Sequence, residues 1–123
     1  MNNIGKKGEL LAANYLIAHG YKILEKNYYN KKGYKLGEVD LIGQDKKGRV
    51  IFFEVKARKG RMQSVAPEER INDQKLKTLF KIAHIYLREK DWLEKDWRVD
   101  FVGVFFDFHT RKAAVRHIKG LYI

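Results

Sequence analysis

The chain has 123 residues, 45% of them hydrophobic, which suits one buried core and excludes a disordered chain despite 33% charged residues. Twenty-six Lys and Arg against fifteen Asp and Glu leave a net charge of +11, which attracts polyanions over a Debye length of roughly 8 Å and points to nucleic acid ahead of anionic membrane. Cysteine is absent, so disulfides, thiolate chemistry and Cys-based zinc sites are excluded. The stretch from Met1 to Glu9 lacks a signal peptide's apolar run, and no apolar stretch approaches the ~18 residues of a membrane span, so a cytoplasmic setting without a membrane partner is expected.

A single domain over residues 1–123 is expected, because one proline and no Ser/Gly-rich stretch leave nothing that reads as a linker. In chain order, Lys7 to His19 has a helical period, with Leu10, Ala13 and Ile17 along one stripe and Leu11, Leu16 and Ala18 widening it. Gly20 stands where a helix-terminating glycine belongs. Tyr21 to Tyr29 reads as a strand, and Asn30 to Leu36 as a loop. Val39 to Gly43 and Val50 to Ala57 are rich in β-formers, with a hairpin turn at Asp45-Lys46-Lys47-Gly48 between them. A loop follows from Arg58 to about Ser64, with Pro67 a candidate for an early helical turn. Asn72 or Asp73 then caps a helix to about Lys90, its apolar face carrying Leu76, Leu79, Phe80, Ala83, Tyr86 and Leu87. A strand from Arg98 to Phe106, a turn from Asp107 to Lys112 and a strand from Ala113 to Ile118 close the chain. The order α-β-β-β-α-β-β suits an α/β fold with a central mixed sheet flanked by helices.

Two of these strands carry charges where a buried sheet should not. In Gly37-Glu38-Val39-Asp40-Leu41-Ile42, the period-two alternation puts Glu38 and Asp40 on one face; in Ile51-Phe52-Phe53-Glu54-Val55-Lys56-Ala57, it puts Glu54 and Lys56 on one face. A five-residue or bulged hairpin connection would set Asp40 opposite Glu54, their carboxylates about 5 Å apart. Two unit charges at that separation repel by roughly 3 kcal/mol at an effective dielectric of ~20. A cation, a shared proton or the lysine relieves that repulsion. Hard oxygen ligands of this kind suit Mg²⁺ or Mn²⁺. With Lys56 beside them, the set matches metal-assisted hydrolysis of a phosphodiester. The alternative is an ordinary cross-strand salt bridge on a solvated face. Glu9 shares a side of the first helix with Ala13 and Leu16 and has two readings, a further metal or water ligand or a first-turn acid favouring the helix dipole.

Gly8-Glu9, Gly37-Glu38-Val39-Asp40-Leu41-Ile42, Phe53-Glu54-Val55-Lys56-Ala57-Arg58, and the run from Lys75 to Arg98-Val99-Asp100-Phe101 together resemble the YraN family of small bacterial proteins. That family is similar to the PD-(D/E)XK nuclease superfamily and, within it, to the archaeal Holliday-junction resolvases. The resemblance implies a restriction-endonuclease-like three-layer core and a metal-dependent endonuclease acting on DNA, with junction or flap structures as candidate substrates. It makes Asp40 and Glu54 metal ligands, Lys56 the catalytic lysine, and Glu9 the helix-borne acidic residue of the catalytic set; on the residue pattern, Glu9 and Glu38 are further candidate metal ligands. It relates Gln74 or Lys75 to a polar residue on the second helix, and it implies a homodimer. Val39 stands where the superfamily name has proline. A non-catalytic DNA-binding protein retaining the fold is the alternative, and RNA is not excluded as partner.

The nucleic-acid surface is expected at Arg58, Lys59 and Arg61, leaving the end of the active-site strand, with Lys75, Lys6 and Lys7 adding phosphate contacts. If the strand persists to Arg58, its guanidinium shares the face of Glu54 and Lys56. Tyr28-Tyr29-Asn30-Lys31-Lys32-Gly33-Tyr34-Lys35 interleaves rings and cations, for which packing at the strand end is expected and base stacking is the alternative. The four histidines show no ligand spacing and are assigned no chemistry.

Overall fold

A computed structural model describes residues 3–61 and 71–121; the end of the loop expected to reach Ser64 and the early turn at Pro67 lie outside the described residues. Helix α1 spans Ile4–Ala18, followed by β1 (Lys22–Tyr28), β2 (Val39–Gln44), β3 (Val50–Lys59), α2 (Asp73–Glu89), β4 (Trp97–Asp107) and β5 (Lys112–Leu121). The strands form one sheet in the order β1-β2-β3-β4-β5. Only β3 and β4 run parallel, as the crossover through α2 between them requires. The other neighbours are antiparallel, so the sheet is mixed.

Local chemistry explains the helix boundaries. Gly20 adopts φ +94 just after α1, and the N–H groups of Gly20 and Tyr21 donate to the carbonyls of Ile17 and Leu16 at 3.1 and 3.0 Å. That left-handed turn satisfies the helix's orphan carbonyls at no Cβ cost. At α2 the cap is Asn72, whose side chain accepts from the Lys75 N–H at 2.8 Å.

Each helix covers its own face of the sheet, which makes three layers. Ala12, Ala13 and Leu16 of α1 pack on Leu41, Ile51, Phe53, Val102 and Val104. Leu76, Leu79, Ile82, Ala83, Tyr86 and Leu87 of α2 pack on Val39, Ile42, Val50, Phe52 and Val99. The α1 stripe differs from the expected one: Leu10 and Ile17 are exposed, and the buried face is Gly8, Ala12, Ala13 and Leu16. Small residues face the sheet here because α1 runs very close to β3. A Cβ on Gly8 would stand 2.5 Å from the Cβ of Ala57. Gly8→Ala is therefore expected to destabilise the protein by about 1–3 kcal/mol, despite alanine's better helix propensity, as read by urea denaturation. A neutral or stabilising result would show that α1 can move off β3 freely.

The fully buried Asp100 stitches β4 to β5. It accepts from Arg98 Nε at 2.9 Å and Gly120 N–H at 2.9 Å, and pairs with His117 Nε2 at 2.7 Å. Burial pushes its carboxyl up, but the His117 and Arg98 hydrogen bonds outweigh it and hold the group below the usual carboxylate range. This buried acid is fully satisfied.

Candidate active site

The β2–β3 hairpin decides which charges meet. Gln44 pairs with Val50, Gly43 with Ile51, Ile42 with Phe52 and Leu41 with Phe53; one step further, where the ladder has ended, the same register would set Asp40 opposite Glu54. The connection is the five-residue segment Asp45–Arg49, tightened by the Asp45 carboxylate accepting from the N–H groups of Lys47 and Arg49 at 3.0 and 2.9 Å. Pairing ends at Leu41–Phe53 while β3 continues to Lys59 against β4, so β2 parts from β3 at this point. The alternation breaks with it, since Val39 joins the α2-side core although Leu41 packs under α1. The Asp40 carboxylate takes over the lost ladder bond by accepting from the Val55 N–H at 2.7 Å.

Glu54 lies in the same notch, 2% exposed. Its Oε2 is held by the Lys75 ammonium at 2.7 Å, while its Oε1 is buried without a hydrogen-bond partner among the described residues. An orphaned buried acceptor is costly, and native structures keep few of them. Asp40 reports the same tension. Burial raises its pKa, the neighbouring Glu54 carboxylate raises it further, and Glu9 adds to the effect; the Val55 N–H only partly offsets them, leaving Asp40 pushed up to about 7. The contrast with Asp100 is informative, because perturbation by burial plus a like charge marks functional sites more than structural ones. Burial pulls the Lys75 ammonium down, but Glu54 and Asp40 outweigh it and hold it above its ordinary value.

The other candidate residues divide. Lys56 shares the Glu54 face and makes no hydrogen bond or ion pair with any described residue; its neighbour across β4 is Gly103, which offers no side chain. Arg58 remains on β3, paired with Phe105, and so keeps the Glu54–Lys56 face. Glu9 lies at the α1 margin, where its Oε1 accepts from the Asn27 amide at 3.2 Å. Glu38 does not join the pair: it is exposed and bound to Lys35 at 2.9 Å. Lys6 and Lys7 are exposed on α1, Lys59 is exposed with its ammonium 5.6 Å from the Phe108 ring, and Arg61 stands 3.5 Å from Asp107.

Two residues were not assigned these roles from the sequence. Lys75 was read as a phosphate contact and, with Gln74, as a candidate for the polar residue on the second helix; it grips Glu54. Asn27 was not singled out; it lies on β1 between the Lys26–Leu41 and Tyr28–Val39 pairs, at the level of Asp40, and adopts φ 52. That backbone turn re-aims its amide toward α1, and asparagine's tolerance of the left-handed region is the one sequence signal for it.

Among the described residues no group of three or more His, Cys, Asp or Glu side chains forms a metal cage. Mg²⁺ and Mn²⁺ do not require one, since one or two carboxylates, waters and substrate phosphate commonly suffice. The donor set fits such an ion: two acidic side chains, one carrying an unsatisfied buried oxygen and the other a raised pKa.

Fold and site together define a three-layer α/β protein with a paired-carboxylate notch where two strands part. The chain belongs to the uncharacterised protein family UPF0102, whose family model matches residues 8–104, so the YraN resemblance holds. It is similar to UPF0102 proteins of Desulforamulus reducens, 38% identical over 117 residues, covering 94% of this chain and 92% of that one. Those of Clostridium tetani (35% over 120 residues, 97% and 93% covered) and Chlorobium limicola (37% over 107 residues, 86% and 78% covered) are also similar. Among solved structures, Pyrococcus furiosus SfsA in complex with Ca²⁺ matches with a TM-score of 0.42 and 17% identity over 97% of this chain, which spans 64% of that one. Among the described residues no helix is long and apolar enough to cross a membrane.

Proposed function

We propose that this protein is a metal-dependent phosphodiesterase acting on DNA, with Mg²⁺ or Mn²⁺ held by Asp40 and Glu54 and with Lys56 stabilising the transition state. The observation that carries this reading is the pairing of buried Glu54 with half-buried Asp40, in which Glu54 Oε1 has no partner among the described residues and Asp40 is pushed up to about 7. A divalent ion there would stabilise the charge that grows on a phosphoryl oxygen during hydrolysis.

The chain's own residues supply the rest. Lys75 anchors Glu54 through one oxygen and so directs the other into the notch. The Val55 N–H fixes Asp40 in orientation. Lys56, uncommitted to any described carboxylate, is free to meet a non-bridging oxygen of the scissile phosphate. Arg58, two positions along the same face, suits a bidentate grip on an adjoining phosphate. The net charge of +11 favours a polyanionic substrate. Glu9, held by Asn27, stands close enough for its charge to be felt at Asp40, which suits it to orienting water at the margin of the site.

Calorimetric titration with Mn²⁺ tests the site without any choice of DNA. Wild type is expected to bind and Asp40→Ala to lose at least about ten-fold in affinity, the scale on which altered metal sites weaken. Binding unchanged by the substitution, with or without an oligonucleotide to complete the coordination, would sink the assignment.

A further inference from the structure

The loop joining β1 to β2 lies at the end of the sheet that carries Asp40 and is built around one buried side chain. Asn30, 5% exposed, uses its whole amide within the loop. Its Nδ2 donates to the carbonyls of Lys32 and Tyr34 at 2.9 and 2.8 Å, and its Oδ1 accepts from the Leu36 N–H at 2.9 Å. The backbone is thus pinned before, at and after Tyr34. What this fixed loop presents is the Tyr34 ring, 90% exposed. The two preceding tyrosines are already engaged. Tyr28 is buried, stacking edge-on against Tyr86. Tyr29 has the Lys31 and Lys35 ammonium groups 3.5 and 4.5 Å from its ring centre. Packing, the role expected for this segment, therefore holds for Tyr28 but not for Tyr34.

The loop's far end enters the site directly. Gly37 passes α2 closely enough that a Cβ there would lie 3.4 Å from Thr78, one turn of α2 beyond Lys75, and Asp40 follows three residues later. Lys31, Lys32 and Lys35 are exposed on the same loop and give it positive charge, although Lys31 and Lys35 lie over the Tyr29 ring and Lys35 also pairs with Glu38.

We propose that this loop is a base-stacking site, in which Tyr34 stacks on an unpaired nucleobase of the DNA strand whose backbone enters the Asp40–Glu54 notch. The inference rests on the nucleic-acid reading above and adds the substrate class: DNA with a single-stranded segment, as in a flap, fork or open junction. A duplex offers no free base face to such a ring, whereas an unpaired base stacks regardless of its identity. Because Asn30 orders the loop before binding, little conformational entropy is lost when the base arrives.

The test is fluorescence anisotropy in EDTA, comparing a blunt duplex with the same duplex carrying a single-stranded thymidine arm. Wild type is expected to prefer the armed duplex. Tyr34→Ala should weaken that complex about ten-fold and leave the blunt duplex within about two-fold, while Tyr34→Trp preserves the preference. With the ring so exposed, both variants should fold as wild type does. Equal weakening of both complexes, no weakening of either, or loss of the preference in Tyr34→Trp would overturn the proposal. Since no cleavage occurs in EDTA, a catalytically inert protein still tests it; conversely, metal-dependent cleavage without any arm preference would refute the stacking site and leave the phosphodiesterase reading intact.

Discussion

Lys56→Ala is expected to lower the single-turnover cleavage rate of a susceptible DNA about 10²–10³-fold while leaving affinity for that DNA within a few-fold, the usual cost of removing one positioned transition-state donor. The expectation rests on a division of labour between two lysines. Lys75 is committed to Glu54 at 2.7 Å, so its charge is spent on holding that carboxylate. Lys56 sits two residues beyond Glu54 on the same face, opposite Gly103, with no described acid paired to it. Such an ammonium gains most when charge appears on a phosphoryl oxygen and little in the ground state, so its removal should register in rate and not in binding. Branched, flapped and single-stranded substrates with Mn²⁺ supply the assay, and anisotropy in EDTA supplies the affinity. Cleavage equal to wild type would remove Lys56 from the chemistry. A parallel loss of binding and cleavage would make it a phosphate-binding residue instead.

Asp40→Asn is expected to stabilise the metal-free protein at pH 8, by an amount on the order of a few kcal/mol, and to leave stability nearly unchanged at pH 4. The sign follows from linkage. Asp40 titrates near 7 in the folded protein and in the ordinary carboxylate range when unfolded. Between those values the folded state holds the extra proton, so the group's contribution to stability falls as pH rises from about 4 to about 7. Asparagine keeps an oxygen to accept the Val55 N–H, offers Glu54 an N–H donor, and removes the charge. The difference between the two proteins, followed by thermal melts across pH, isolates this group from carboxylates such as Asp100 whose shift is opposite. Mn²⁺ should stabilise wild type at pH 8 and not Asp40→Asn, because ligand binding to the folded state adds to stability only where the site exists. A pH-independent difference, or a destabilised variant at pH 8, would mean that Asp40 is not held against Glu54 as a strained pair. The stability given up by wild type is what a metal site would recover on loading.

The fold was largely legible because its elements are written in local pattern. Runs of β-formers marked β2 and β3, Asn72 or Asp73 marked the start of α2, and Gly20 marked the end of α1. Strand ends were read short: β3 extends to Lys59 and β5 spans Lys112–Leu121, because pairing with β4 recruits residues that carry no strand signature of their own. The α1 face was misread for a related reason. Hydrophobicity favours Leu10 and Ile17 as the inward stripe, but the space left by Ala57 admits only Gly8 and its small neighbours.

For the site, the sequence by itself determined, through alternation, that Glu54 and Lys56 share a face. It permitted but did not fix the register that brings Asp40 toward Glu54, since a five-residue or bulged connection leaves a few registers open. Tertiary structure decided what a linear pattern leaves open. It sent Lys75 to Glu54, brought Asn27 to Glu9, and tied Glu38 to Lys35 away from the pair. It also left Glu54 Oε1 without a partner among the described residues. Periodicity reports the direction of a side chain from its own strand or helix; whether a charge finds a partner depends on which element packs across from it, and that is set only when the layers close.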